Sequence, residues 1–377
     1  MILSQEHQML RDAVRQYARE QLAPNAAAWD RDHTFPQAAL KGLAAMGLYG
    51  IAVPAEWDGA GMDYTALSLA IEEIAVGDGA TSTVVQVTNL AAGILSGYGN
   101  AAQKERYLKP LARGDMLGAF ALTEPHAGSD AGAIRTRAER SGDAWVLNGV
   151  KQFITSGKYG DVAVVFAVTD KNAGKKGISA FIVPTATPGY IVSHIEEKTG
   201  QHASDTAQIT LENCKVPAEN LLGAEGEGYR IALANLESGR INVAAQSVGM
   251  AQSALNAALV YAAERTSFGK PLTGHQAVSF RLADMATAIE AARQLYLHAA
   301  ALRDLGLPCL KEASMAKLFA SEAAEKVCSD AIQIHGGYGY VRDFPVERIW
   351  RDVRVTQIYE GASDIQRLVI GRALVAS

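Results

Sequence analysis

The chain has 377 residues, 49% of them hydrophobic and 20% charged, with a formal net charge of −5 at pH 7. That length accommodates two or three domains and a large core, and the acidic balance argues against the basic footprint of a nucleic-acid-binding protein. Cys214, Cys309 and Cys328 are far apart and lack CxxC spacing, which argues against a disulfide framework or a zinc site.

The first third reads helical. Leu10, Val14, Tyr17 and Leu22 share a helix face, and Pro24 is expected to help end that helix. Ala38–Met46, Tyr64–Ala75 and Val84–Leu95 repeat the pattern between Gly- and Pro-bearing loops. Trp29 and Trp57 read as packing residues. From Leu117 to about Gly228 the texture is strand-like. AWVLNGVKQFIT places Asn148-Gly149 between apolar runs, which predicts a hairpin turn. DVAVVFAVTD, GISAFIVP and AQITLENCKVP read as further strands, and Asn172–Gly177 as an exposed loop. Beyond Gly228, Tyr229–Arg265, Gln276–Leu305, Cys309–Ile334 and a helix after Ser363 suggest a bundle. The expected division is 1–117 helical, 118–227 β and 228–377 helical: a mainly α protein with a β insert.

Six stretches, two of them taken together, could carry chemistry. In FALTEPHAGSD, Gly128 and Ser129 offer backbone N–H groups and a hydroxyl to phosphate or carbonyl oxygens, although a plain surface turn fits equally well. In KQFITSG, strand alternation puts Phe153 and Thr155 on one face, suited to stacking on and hydrogen bonding a planar ring, or simply to a core. In LESGR, a mid-helix Gly239 costs roughly 1 kcal/mol against Ala, which points to a close approach there. Glu237 and Arg240 beside it could be an ordinary solvated pair. In RTSFGKPLTGHQ and QIHGGYGY, the Arg265 fork suits pyrophosphate, and Gly336 and Gly337 allow a close approach or cap a helix. Finally, QIYEGASDIQRLVI has Ser363 and Gln366 in capping-box spacing before an apolar run. Glu360 then lies on the loop ahead of the helix beside Gly361, as a general base or as a solvated carboxylate.

IYEGASDIQRLVI resembles the C-terminal signature of the acyl-CoA dehydrogenases, in the short- and medium-chain branch, and LTEPHAGSD resembles the family's first signature. LESGR and the Arg265–Gln276 and Gln333–Tyr340 segments follow in family order. The resemblance covers nearly the whole chain. It implies the acyl-CoA dehydrogenase fold: an N-terminal helical domain, a central antiparallel β-barrel-like domain and a C-terminal four-helix bundle. It implies FAD as cofactor, contacted by Phe120, Leu122, Thr123, Ser129, Phe153, Ile154, Thr155, Ala362 and Asp364. Arg265, Phe268, Gln276, Gln333, Gly336 and Gly337 would hold the adenine half from a neighbouring subunit, in a homotetramer built as a dimer of dimers. Ser129, Glu237, Arg240 and Gly361 would bind the acyl-CoA, and Glu360 would remove its α-proton. The family more often has Trp at Phe153, Thr at Ala362 and a longer acid or amide at Asp364. Its isovaleryl and long-chain branches carry the base at the position of Gly239.

The implied activity is α,β-dehydrogenation of a short or short branched-chain acyl-CoA to the trans-2-enoyl thioester, with electron-transferring flavoprotein as acceptor. Val87, Thr88 and Leu90 are candidate walls of the acyl pocket. The same fold also hosts acyl-CoA oxidases, flavin monooxygenases and weakly catalytic nucleic-acid-binding relatives. The chain lacks G-x-G-x-x-G and P-loop motifs. Its histidines show no ligand spacing, so no metal is expected. With no run of membrane-spanning length, the expected location is the cytoplasm, or the mitochondrial matrix in a eukaryote.

Overall fold

The computed structural model describes residues 2–375. The N-terminal region comprises α1 (Gln5–Tyr17), α2 (Ala23–Asp32), α3 (Gln37–Ala45), α4 (Tyr64–Gly77), α5 (Gly79–Tyr98), α6 (Ala101–Gln103) and α7 (Lys109–Arg113). Pro24 does not end the first helix. A π-helical turn, Ala18–Leu22, carries the chain into α2, whose first turn holds Pro24. The helix runs on through that turn, where the Ala23 N–H reaches back to the Ala18 carbonyl, so Pro24 falls beside a π bulge, where the ordinary hydrogen-bond ladder is already interrupted. Asp63 and Asp78 cap α4 and α5, accepting from the N–H groups of Ala66 and Thr81 at 2.8 Å each.

The strands are β1 (Gly118–Ala121), β2 (Arg137–Ser141), β3 (Ala144–Thr155), β4 (Val162–Val168), β5 (Ile178–Pro184), β6 (Tyr190–Ile195), β7 (Thr206–Pro217) and β8 (Leu221–Leu222). They form one sheet in the order β6-β7-β3-β2-β4-β5-β8, with β1 beside β4. The sheet is open rather than barrel-like. Its far edge, β8, is only two residues long and pairs with β5 alone. Nor is the sheet wholly antiparallel: β1 and the end of β2 run parallel to β4. Along β4, Val162, Val164 and Phe166 pack toward α5 and α7, while Ala163, Val165 and Ala167 pack with Trp145, Leu147 and Ile209 on the other face. Burial on both faces explains the unbroken apolar run VAVVFAV.

Asn148-Gly149 is not the hairpin turn. It lies inside β3 at a bulge opposite β7, while the β2–β3 turn falls at Gly142-Asp143, between paired Ser141 and Ala144. The Asn148 side chain accepts from the Asn213 N–H at 2.8 Å, and a Cβ on Gly149 would collide with Thr136. The two residues therefore serve a bulge, a role that uses the same conformational freedom as a turn.

The C-terminal region comprises α8 (Gly228–Glu264), a small hairpin of β9 (Thr266–Ser267) and β10 (Lys270–Pro271), then α9 (Gln276–Asp304), α10 (Leu310–His335), α11 (Val346–Val353) and α12 (Ser363–Val375). Its largest apolar cluster also takes in Val14, Leu40, Leu43, Leu69 and Ile71 from the N-terminal helices. The two helical ends thus share one core around the β insert. Among the described residues, no helix is long and apolar enough to cross a membrane, and no group of three or more His, Cys, Asp or Glu could hold a metal ion.

A buried ionic contact joins the two helical ends. Glu72 of α4 accepts from Arg293 of α9 at 2.9 and 3.0 Å, and from the Tyr296 hydroxyl. Removing one partner of a buried pair leaves the other charge uncompensated. Arg293→Met is expected to cost about 3–5 kcal/mol, read as a lower thermal midpoint. The double change Glu72→Met/Arg293→Met should recover part of that loss.

Candidate active site

The segment after α11 makes a short 3-10 turn, Arg354–Gln357, and then reverses before α12. The reversal uses two consecutive left-handed residues, Glu360 at φ 54° and Gly361 at φ 89°. Glycine tolerates this, whereas glutamate is strained by about 1–3 kcal/mol. Side-chain donors hold the conformation. Gln366 Nε2 donates to the carbonyls of Glu360 and Gly361 at 3.2 and 2.7 Å, and Lys317 Nζ donates to the Gly361 carbonyl at 2.8 Å. The expected capping box is not formed: Ser363 Oγ is buried without a partner, and the Gln366 side chain grips the preceding carbonyls instead.

The strained turn aims Glu360 at α8. A Cβ on Gly239 would stand 2.5 Å from Glu360 Oε2, so the missing side chain is the space the carboxyl occupies. Although Glu360 as a residue is only half-buried, Oε2 is fully buried and has no hydrogen-bond partner. Burial pushes its pKa up to about 7, against the opposing pull of Arg240 and then Lys317. Arg240 is itself buried. Its Nη1 donates to Ser314 Oγ at 3.3 Å, and its Nε has no partner. A carboxylate poised near neutrality, with open capacity beside it, suits proton abstraction.

Tyr359, next in the chain, anchors the turn to the rest of the molecule. Its hydroxyl donates to Gln246 of α8, whose amide donates to Ser82 and Thr83 of α5 at 2.8 and 2.7 Å. Thr83 donates to Gln201, between β6 and β7, at 2.7 Å, and the Gln201 N–H donates to Asp352 of α11. One chain of buried hydrogen bonds therefore touches all three regions.

The second constellation flanks β1 and β3. Glu124 is buried and accepts from the N–H groups of Arg135 and Thr136 at 2.6 and 2.9 Å and from Lys151 Nζ at 2.7 Å. Lys151 is fully buried and also donates to the Leu122 carbonyl at 3.0 Å. This ion pair pins both ends of the 122–136 loop and leaves Gly128 and Ser129 exposed at its tip. Thr123 is half-buried and accepts the Gln152 N–H at 2.8 Å through its carbonyl. A bulge interrupts β3 between Lys151 and Ile154, so simple alternation fails there. Phe153 is forced to φ 59° and is 62% exposed, Thr155 is half-buried, and Ile154 points into the sheet's core. Leu122 is also a core residue, and Phe120 packs in a tilted pair with Phe166. A large aromatic held outward by a strained bulge, beside an exposed Gly-Ser loop, fits a flat heterocycle bearing a phosphate. From Ile154 and Leu122, main-chain groups rather than side chains remain to make such contacts.

The third group sits at the far end of α8 and α10. A cleft of about 540 Å³ is lined by Arg265, His335, Gly336, Gly337, Tyr338 and Asp343. Arg265 lies over the Tyr338 ring at 5.8 Å. Gln276 and Gln333 are exposed, and Phe268, on the β9–β10 hairpin, is 97% exposed. None of the groups surrounding Glu360 lines this cleft, so one chain does not join the two. Glu237 is not a free solvated acid: it accepts from Arg303 at 3.1 Å and from the Cys309 thiol at 3.2 Å. Of the proposed acyl-pocket walls, Leu90 packs into the cluster beneath the sheet. The Thr88 hydroxyl accepts the Gly118 N–H at 3.3 Å, and Val87 stays partly accessible. Ala362 is half-buried, and Asp364 is exposed near Arg367 at 3.5 Å.

Sequence reasoning missed Lys317, Glu124 and Lys151. For Lys317 a signal exists: it interrupts the apolar stripe Ala313, Ala316, Ala320 and Ala324 of α10. A charge on a buried stripe marks a paired or functional group.

The raised pKa of Glu360 has a stability consequence. Between its ordinary value of 4.5 and about 7 the folded state holds a proton that the unfolded state releases, so stability falls as pH rises through that window. Glu360→Gln is neutral at every pH. It is expected to melt higher than the wild type at about pH 8, by about 2 kcal/mol. The gap should close toward about pH 5, measured by thermal unfolding across that range.

Three family descriptions match in succession. The N-terminal domain of acyl-CoA dehydrogenase matches residues 4–115, the middle domain 119–214 and the C-terminal domain 226–375. The chain is 49% identical over 376 residues to the mitochondrial short-chain specific acyl-CoA dehydrogenase of Mus musculus, covering 100% of this chain and 91% of that one. Butyryl-CoA dehydrogenase from Megasphaera elsdenii superimposes with a TM-score of 0.98 at 41% identity, covering 100% and 99% of the two chains. A chain in the structure described as the electron transferring flavoprotein of Acidaminococcus fermentans gives 0.99 at 45% identity, covering 100% of both. Members of this family are FAD-dependent oxidoreductases. Three matched domains in order, with similarity along the full length, place the chain in the acyl-CoA dehydrogenase family.

Proposed function

We propose that this protein dehydrogenates a short or short branched-chain acyl-CoA to the trans-2-enoyl thioester, with Glu360 as the base that takes the α-proton. The observation that carries this reading is the buried, unpartnered Oε2 of Glu360 facing Gly239, with its pKa raised to about 7. A solvated surface glutamate has neither property. The α C–H of a thioester is weakly acidic, so its carbonyl must be polarised as the proton leaves. Among the described residues the Glu360 N–H has no main-chain acceptor, which leaves it to donate to that oxygen. Arg240 and Lys317 favour the ionised form of the base before the transfer.

Phe120, Leu122, Thr123, Ser129, Phe153, Ile154, Thr155, Ala362 and Asp364 would hold the flavin end of FAD. When bound, the flavin supplies the acceptor for the β-hydride. Arg265, Phe268, Gln276, Gln333, Gly336 and Gly337 would hold the adenine end of a partner's cofactor. Their exposure in a single chain, apart from Glu360, supports at least a dimer, and a dimer of dimers is the proposed assembly. Ser129, Arg240 and Gly361 would contact the acyl-CoA. Glu237, its carboxylate held by Arg303, would contact it as well. Short-chain preference is supported by the mouse and Megasphaera relatives, and an electron-transferring flavoprotein as acceptor by the Acidaminococcus structure.

Glu360→Gln should retain FAD and bind acyl-CoA with little change, yet lose at least about 10³ in kcat, in line with removal of a positioned base. Activity near the wild-type level would reject the assignment. Across straight acyl-CoAs from C4 to C12, with isobutyryl and 2-methylbutyryl forms, the optimum of kcat/KM is expected at the short end. A clear optimum at C12 would reject the substrate class.

A further inference from the structure

Lys317 is fully buried in the middle of α10, yet its ammonium donates to a neutral carbonyl, that of Gly361. A hydrogen bond to a carbonyl needs no charge. Gln or Ser could supply it without the cost of burying an ammonium, and Gln366 already donates to the same oxygen at 2.7 Å. The presence of a lysine therefore calls for a second role. The carboxyl that acts most strongly on it is Glu360.

We propose that Lys317 is a positioning residue for the base: it clamps the left-handed Glu360-Gly361 turn through the Gly361 carbonyl and places one positive charge beside the carboxylate. This rests on the reading of Glu360 as the base.

The surrounding charges leave this role to few groups. From α8, Arg240 faces the carboxyl, while Glu237 behind it is paired with Arg303 at 3.1 Å. On α10 itself, Glu322 lies near Lys317 but is engaged by Arg367 of α12 at 2.6 Å. From the preceding residue, Tyr359 is committed to Gln246. The net field at Glu360 is thus set by two buried cations, Arg240 and Lys317. Burial lowers the pKa of Lys317 to about 8, with Glu360 pulling it back up. Each of the two groups favours the charged form of the other. Lys317 also helps hold the strained turn at Glu360, because a carbonyl fixed by two side-chain donors cannot rotate to relax it.

The test uses FAD-loaded Lys317→Gln, Lys317→Met and Lys317→Arg with butyryl-CoA, and Glu360→Gln alongside. Gln keeps a donor without the charge, Met keeps neither, and Arg keeps both. In Lys317→Gln, the acidic limb of the kcat/KM profile should move up by about one pH unit, since a lost neighbouring cation raises a carboxyl's pKa. Activity at about pH 6 then falls about tenfold, while at about pH 8.5 it stays near the wild-type value. Lys317→Met should show the same displacement with a lower kcat throughout, and Lys317→Arg should keep the wild-type limb. A second readout is the infrared band of the protonated carboxyl that Glu360→Gln abolishes. It should persist to higher pH in Lys317→Gln. If limb and band in Lys317→Gln coincide with the wild type, the proposal fails while the base stands. A moved limb in Lys317→Arg also overturns it. If Glu360→Gln stays active, the base assignment itself has failed.

Discussion

A carboxyl oxygen buried without a partner against a glycine is the interaction on which the rest of this protein depends. Water would bring Glu360 back toward an ordinary acid and leave it a weak base. Burial raises its pKa to about 7. The cost is paid in two places: a strained backbone at Glu360 and a helix interior that gives up a side chain at Gly239. Both lie against α8 and α10, which share one apolar core with the N-terminal helices. The long helices serve chemistry by keeping a costly arrangement from relaxing.

Buried lysines recur in this design with different tasks. Lys151 meets a full counter-charge in Glu124 at 2.7 Å, and together they hold the ends of a loop whose tip is exposed. Lys317 meets only a carbonyl at hydrogen-bonding distance, and its charge remains available to the pocket. Burial pushes both down to about 8. Geometry separates them: one ammonium bonds a carboxylate directly, and the other bonds a main-chain carbonyl.

Much of the fold was legible in the sequence where a single period ran uninterrupted. The long helices from Gly228 onward and the doubly buried strand Val162–Val168 needed only spacing and composition. Gly239 was readable as a close approach because glycine in a helix interior is costly, although its neighbour became visible only in three dimensions. Local chemistry that serves two structures was harder. Asn148-Gly149 fits a turn and a bulge equally, and the pairing of β3 with β7 decided between them. Pro24 fits the end of one helix or the start of the next, and a π turn made it the latter. Ser363 and Gln366 had the spacing of a reciprocal cap, yet the strained turn before them supplied better acceptors for Gln366. Lys317 stood out only as a charge on an apolar stripe, and its partner was not readable because the Gly361 carbonyl is far away in the chain.

The path Tyr359–Gln246–Thr83–Gln201–Asp352 ties the reactive turn to every region of the chain at once. Each link crosses a seam between segments far apart in the chain, so slippage at any seam reaches the turn as lost registry. Inactivation under heat or denaturant should accordingly precede the loss of helical signal, because turnover needs all the seams closed and helicity needs none of them.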